Sequence, residues 1–455
     1  MFFFEQMAFF EKSHPNGYRH RYFAASPLTQ DTERMLLMND YILKGNILYA
    51  KTKEKLTSMP DGYVVCQSGH CQGVFQELPK AFQDYEILDY GDCLIIPGMT
   101  DLHVHAPQYT VCGYAMDLEL MDWLNAYIFP EEARYTDFAY AKSSYSVFVN
   151  DLLHSPTSRL CAFGTLHSEG TLELMGQLEA AGFAGCVGKV SMDRNAPDAL
   201  RETHPVEDLK SWLAQCSFPH IKPILTPRFI PACTDELMTA LGKIQEQTRL
   251  PLQSHLSENP AEIAFVQELC PESRFYGDAY DQFHTFGTGG KTIMAHCVHS
   301  SDEEIALMKE RQVYMAHCAE SNFNLSSGIA PARRFLNAGV PMGLGTDIGA
   351  GTSVSMFRSI KEAIIASKMY WRLVDATMEP LQFSEAFYLA TKGGGSFFGN
   401  IGSFEKDYEF DAVVIDDRKV RQPLPAKLEN RLERVIYADD CHTVIHKFIC
   451  GKKVL

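Results

Sequence analysis

Long apolar runs are missing from this 455-residue chain. No stretch approaches the ~18 consecutive apolar residues that a membrane-spanning helix needs. Met1-Phe2-Phe3-Phe4 stops at Glu5 with no basic stretch before it, so it does not read as a secretory leader. Positive charge is also short, with 41 Lys+Arg against 57 Asp+Glu and a net charge of -16. That balance argues against nucleic acid or anionic lipid as a partner and leaves a neutral or cationic small molecule open. The 13 cysteines are odd in number and scattered, the nearest pair being Cys66 and Cys71, and there is no C-x2-C. A disulfide framework is therefore not expected, and a reducing, cytoplasmic setting is. Neither H-E-x-x-H nor G-x-S-x-G occurs. Thr288-Gly289-Gly290-Lys291-Thr292 imitates a phosphate loop, but Thr285 stands where its first glycine belongs and the segment precedes a strand-like run. His167-Ser168-Glu169 lacks the P-C-x-x-C that would make it a deaminase zinc motif of another fold.

What is present falls into three parts. Residues 1–37 are Phe-rich, then polar, without a period, and read as an N-terminal extension. Residues 38–97 and 400–455 carry short β patterns: Ile42 to Tyr49 with a Gly-Asn break, Gly62 to Cys66, Gly73 to Phe75, then Phe410 to Ile415, Val435-Ile436-Tyr437 and His442 to Leu455. Each end is too small to bury a core alone, so the two are expected to join in one small β-sandwich. Between them, residues 98–399 alternate apolar strand-like runs with helical stretches. The runs are Leu94 to His105, Leu160 to His167, Gly185 to Met192, Ile221 to Phe229, Leu252 to Leu256, Thr292 to Cys297, Val313 to Cys318 and Met342 to Thr346. Asn259-Pro260-Ala261-Glu262 and Ser301-Asp302-Glu303-Glu304 read as helix starts, the second as a capping box. Eight such units predict an α/β fold, a (β/α)8 TIM-like barrel, with an open doubly wound sheet as the alternative. In a barrel the chemistry sits at the C-terminal ends of the strands.

Those ends are where the polar residues gather. The first run ends Asp101-Leu102-His103-Val104-His105, which puts two imidazoles on one side of a strand. The fifth ends at His255, the sixth at His296, the seventh at His317 and the eighth at Asp347. Each histidine taken alone is more often a hydrogen-bonded core residue, and a lone Asp a helix cap. Placed together at one face, they point to a metal bound by imidazoles and one carboxylate, which suits Zn(II) and allows Fe(II). Glu258, three residues past His255, is placed to lean over the mouth as a proton carrier.

The motifs Pro97 to His105, His255-x-x-Glu258, Met294-Ala295-His296 and Gly345-Thr346-Asp347 resemble the amidohydrolase superfamily. Within it, His103 to Tyr109, Met121 to Leu124 through Phe129-Pro130-Glu131, Val187 to Asp193, Thr226 to Phe229, His317 to Asn322 and Gly349 to Gly351 are similar to members that act on guanine. The chain departs from them at Ala319-Glu320, where a proline and another residue are usual, and in its first 37 residues. The resemblance implies hydrolysis of guanine to xanthine and ammonia by a zinc-activated water, with one zinc per chain. It implies His103, His105, His255 and Asp347 as metal ligands and Glu258, His296 and Asp347 as catalytic groups. It implies His105, Gln108, Arg228, Phe229 and Glu258 as substrate contacts, and a homodimer. Gln108 offers a donor and an acceptor on one arm, Arg228 a fork of donors for an oxo group, and Phe229 a stacking face. Other readings on the same fold are deamination of cytosine, adenosine-type compounds or triazines, a two-metal cyclic amidase, or a scaffold without activity. Lys189, on the third run, is not where a metal-bridging lysine of the fourth would stand, which favours one metal.

Overall fold

The computed structural model describes residues 40–420, 424–438 and 442–455, so the expectation for residues 1–37 lies outside the described residues. The N-terminal β region holds β1 (Asp40–Thr52), β2 (Lys55–Gln67), β3 (His70–Phe75) and β4 (Glu86–Pro97). β1 pairs antiparallel with β2 and parallel with β4. The Gly-Asn break in the sequence is a register shift at Gly45 and Ile47, where Asn46 donates to the Asp92 carbonyl at 3.0 Å and accepts from Asp61 N at 3.2 Å. That accounts for a buried amide inside a strand.

The alternating region supplies β5 (Met99–His105), β6 (Thr157–Phe163), β7 (Ala184–Gly188), β8 (Val190–Ser191), β9 (Ile221–Pro223), β10 (Thr226–Pro227), β11 (Leu252–Leu256), β12 (Thr292–His296), β13 (Tyr314–His317) and β14 (Met342–Leu344). They pair in parallel as β5-β6-β7-β9, β8-β10 and β11-β12-β13-β14, with helices in the connections. All seven residues of β6 are buried, as expected of a parallel strand covered on both faces. The first apolar run, read as one strand, is broken at Gly98 into β4 and β5. A Cβ on Gly98 would lie 2.3 Å from Ser158 Oγ, so only glycine lets the chain pass between β6 and the Asp411 backbone. The Asn259 start is a complete capping box with Glu262. The Ser301 start is half of one: Ser301 accepts from Glu304 N, but the Glu304 carboxylate accepts instead from Ser257 Oγ at 2.9 Å and Gly277 N at 2.7 Å.

The C-terminal region returns to the first sheet with β15 (Ala412–Ile415), β16 (Val444–Ile449) and β17 (Lys452–Lys453). Where the sequence suggests a sandwich, strands from both ends hydrogen-bond in one seven-stranded sheet, β17-β16-β15-β4-β1-β2-β3. Its two faces follow the period of two. Tyr41, Leu43, Ile47, Ile95, Ala412 and Val414 pack with Phe404, Phe410 and Phe448, while Leu48, Ala50, Leu94, Ile96, Val413 and Ile415 join the core of the alternating region. Both faces being buried explains the near-continuous apolar runs. One expected strand is a helix: Val435-Ile436-Tyr437 lies within Leu428–Ala438. Leu432, Val435 and Ile436 are its buried residues, a three-and-four spacing that overrides the β preference of Val and Ile.

Candidate metal centre and active site

At the end of β5 the backbone is tied to the segment after β14. The Asp101 carboxylate accepts from His103 N at 3.1 Å, Thr346 N at 3.1 Å and Thr346 Oγ1 at 2.5 Å. Asp347 N donates back to the His103 carbonyl at 2.8 Å. Ser257, His296 and Asp347 have φ of 49, 72 and 49°, left-handed values that side chains with a Cβ seldom adopt. All three stand where a strand turns into its loop at this end. A Cβ on Gly351 would lie 1.7 Å from the Thr346 carbonyl, so the loop after Asp347 closes this tightly only around glycine.

The result is a cluster of donors. His105 Nε2 lies 3.2 Å from His103 Nε2, 3.1 Å from His255 Nε2 and 3.5 Å from Asp347 Oδ1, and His103 Nε2 lies 3.2 Å from Asp347 Oδ1. His255 Nδ1 lies 2.6 Å from the Arg228 carbonyl. A carbonyl only accepts, so Nδ1 carries the proton and the Nε2 lone pair faces the cluster. The His255 lone pair is thus aimed at His105 Nε2, and the Asp347 oxygen at the Nε2 atoms of His103 and His105, an arrangement of donors that a cation can share. Ligands bound to one ion at about 2.0–2.1 Å stand roughly 3 Å or more apart, as these pairs do. The donor atoms fall into two overlapping groups that could each hold an ion, His103 with His105 and His255, and His103 with His296 and Asp347. Nitrogen-rich donors fit Zn or Fe(II), not Ca or Mg. Burial, then the neighbouring imidazole of His103, holds His105 and His255 well below the usual histidine range, so both are neutral and ligand-ready. Burial works to raise Asp347, but the imidazoles of His103, His296 and His105 outweigh it and hold that carboxylate ionised.

Glu258 stands beside this cluster. Burial, then the charge of Asp347, pushes its carboxyl up to about 8 against the opposing Ser327 hydrogen bond, so it keeps a proton at neutral pH. Its Oε2 lies 3.5 Å from His296 Nε2, and Asp347 Oδ2 lies 3.8 Å from the same nitrogen. His296 Nδ1 donates to Asn322 Oδ1 at 2.9 Å. Its Nε2 therefore faces the two carboxyl groups.

These groups open on a cavity lined on its polar side by His105, Gln108, Arg228, His255, Glu258, Glu262, His296 and Asp347. Leu120, Trp123, Leu124, Phe229 and Leu325 form its apolar side. A flat ring with a polar edge fits such walls. His103 lies beneath, fully buried. His317, although it ends β13, belongs to neither metal-competent group; it is buried with both ring nitrogens unpartnered. Burial, then the imidazole of His296, pushes it down to about 4. Lys189 is taken up by an ion pair with Glu202.

Several contributors were not legible. Glu132 bridges Gln108 Nε2 at 2.9 Å and Arg228 Nη1 at 2.5 Å. Glu262 lines the cavity behind Glu258, and burial, then the nearby Glu258 carboxyl, pushes it up to about 7. Glu320, one of the two departures, accepts from Thr352 N at 3.2 Å and Oγ1 at 2.5 Å and pairs with Arg358 at 2.9 Å, steadying the loop that follows Asp347. Among the described residues no helix is long and apolar enough to cross a membrane.

A family model, Amidohydrolase family, matches residues 94–454. The guanine deaminase of Dictyostelium discoideum is 34% identical over 445 residues, covering 91% of this chain and 98% of that protein. The guanine deaminase of Mus musculus is 36% identical over 381 residues, covering 79% and 82%. The crystal structure of a guanine deaminase from C. acetobutylicum with bound guanine in the active site superposes with a TM-score of 0.89 at 46% identity, covering 92% of this chain and all of that one.

Proposed function

The chain belongs to the amidohydrolase family, and from that premise we propose that it hydrolyses guanine to xanthine and ammonia. The observation that carries this reading is a single cavity. Gln108, Arg228 and Glu258 line it together with His105, His255 and Asp347. The C2–O bond forms with water, the bond from C2 to the exocyclic nitrogen breaks, and one ammonia leaves.

His103, His105, His255 and Asp347 would hold one zinc ion, with iron as the other metal their chemistry allows. When bound, the ion supplies a water whose pKa falls to about 7. Asp347, held ionised by its imidazole neighbours, would accept a proton from the attacking water. Glu258 keeps its proton at neutral pH and gives it to a ring nitrogen as oxygen adds at C2. It then carries a proton to the departing amine. His296, fixed by Asn322, turns its Nε2 to orient the attacking oxygen. Arg228 donates to the 6-oxo group, Gln108 reads the adjoining edge, and Phe229 stacks on the ring. Leu120, Trp123 and Leu124 keep bulk water away from the exchanging protons.

The same reading takes residues 98–399 as a closed (β/α)8 barrel carried on a smaller β unit from 38–97 and 400–455. Supporting closure, Asp347 N donates to the His103 carbonyl, and Leu225 pairs with Leu252 between β9 and β11. The test is ammonia release from a panel of guanine, adenine, cytosine, adenosine and a triazine, with metal content measured on the same sample. Guanine should dominate, with close to one zinc per chain. Ammonia from another ring but not from guanine would overturn the substrate, and about two metals per chain would overturn the single-ion mechanism.

A further inference from the structure

Glu132 is a buried carboxylate on the short helix Phe129–Ala133, 5% exposed, and does not line the cavity. An ionised carboxylate in such a place needs its charge balanced and its oxygens bonded. Both oxygens are spent on residues that do line the cavity: Oε1 accepts from Gln108 Nε2 at 2.9 Å and Oε2 from Arg228 Nη1 at 2.5 Å.

Each bond fixes an orientation. A side-chain amide can turn end for end, but a carboxylate only accepts, so Gln108 must point its NH2 at Glu132. The other end is fixed as well, because Gln108 Oε1 accepts from Gly349 N, a group that only donates, at 3.1 Å. Gln108 is left with one N–H and one lone pair for a ligand, in a settled order. The guanidinium of Arg228 is held by two groups one turn apart on the same helix, the Glu132 carboxylate and the Phe129 ring 5.2 Å from its carbon. Glu132 also balances the arginine's charge, so the cavity can take a neutral ring without leaving an uncompensated cation.

We propose that Glu132 is the positioning residue that makes the cavity selective for a 6-oxopurine edge, by locking the Gln108 amide in one orientation and aiming the Arg228 fork. The proposal rests on the guanine reading above and deepens it. A ring with an oxygen at C6 satisfies the aimed fork. 2-Aminopurine keeps the reacting amino group but lacks that oxygen, and leaves a buried donor unpaired.

The test compares guanine with 2-aminopurine in wild type, Glu132→Gln and Glu132→Asp. 2-Aminopurine is followed both as substrate, by ammonia release, and as competitive inhibitor of guanine turnover, so its affinity is defined whether or not it reacts. In Glu132→Gln the preference for guanine should fall by about 10- to 100-fold, the size of a lost charge-assisted hydrogen bond. The loss should lie in KM for guanine, with the inhibition constant of 2-aminopurine nearly unmoved. Glu132→Asp, which keeps the charge, should recover part of it. These ratios cancel the concentration of folded enzyme, so partial unfolding of a variant does not move them. Equal losses for both ligands, or an unchanged preference, would overturn the role of Glu132. Absence of ammonia from guanine in the unmutated protein would instead overturn the substrate reading itself.

Discussion

Two carboxyl groups at the cavity are pushed in opposite directions, and the difference assigns their work. Asp347 is ringed by imidazoles and stays ionised, whereas Glu258 is buried against that negative charge and keeps its proton. Glu258→Gln should therefore leave the metal content of the protein unchanged and lower kcat for guanine by about 100- to 10,000-fold, the usual span of general acid-base catalysis. A variant with wild-type kcat would remove Glu258 from the reaction. A second expectation concerns the metal-free protein. Unfolded, Glu258 titrates near 4.5; folded, near 8. Between those values the native state holds a proton that the unfolded chain releases, so the contribution to stability falls as pH rises through this window and is gone above it. Chelator-treated wild type should lose thermal stability across that range more steeply than Glu258→Gln, and equal slopes would contradict the assignment. The convergence of His103, His105, His255 and Asp347 was legible in the sequence because histidine and aspartate at the end of an apolar run are chemically out of place. Glu132 was not. It is one of two adjacent glutamates in a first helical turn, where carboxylates are ordinary, and its partner Arg228 lies 96 residues away.

The helices that follow β11 and β12 show what a start signal can and cannot convey. Asn259 and Glu262 form the reciprocal box that their spacing announces. Glu304 sits at the matching place after Ser301, yet its carboxylate is drawn off to Ser257 and Gly277, a tertiary competition that spacing cannot reveal. Both serve the site, since Ser257 and Asn259 flank Glu258. Asn259→Ala should cost about 1 kcal/mol in urea unfolding and should also lower kcat, because the cap fixes the backbone beside Glu258. Ser301→Ala should cost a similar amount, about 1 kcal/mol, and leave kcat alone. A kcat loss in the second and none in the first would reverse this assignment. Val435-Ile436-Tyr437, inside the helix Leu428–Ala438, reads as a strand for a related reason. Three adjacent residues of β preference suggested a strand, while the helical period becomes visible only when Leu432 is counted with Val435 and Ile436.

The two ends of the chain meet the alternating region through a buried ion pair at the far side of the molecule from the cavity. Arg159, near the start of β6, donates from Nε to Asp411 Oδ2 at 2.6 Å and from Nη2 to Oδ1 at 2.9 Å, and reaches Glu409 at 2.7 Å. Ser158 Oγ adds a bond to the same carboxylate at 3.0 Å. That the chain ends must join was legible, since neither buries a core alone. That they join through an arginine was not, because Arg159 sits inside a run of buried residues where a charge looks misplaced. Arg159→Ala strips the balancing charge from a buried Asp411 and should cost about 3–5 kcal/mol of stability. The cavity lies at the other end of β6, so kcat measured well below the melting temperature should change little. Adding Asp411→Leu to an Arg159→Met chain removes both charges and should recover much of the loss, because the penalty comes from one unpaired charge more than from the missing attraction. Urea denaturation of the three chains, with guanine turnover on each, separates the cases. Single and double variants equally unstable would mean that the ion pair contributes net attraction, and a kcat that falls with stability would mean that the end sheet shapes the cavity as well as supporting it.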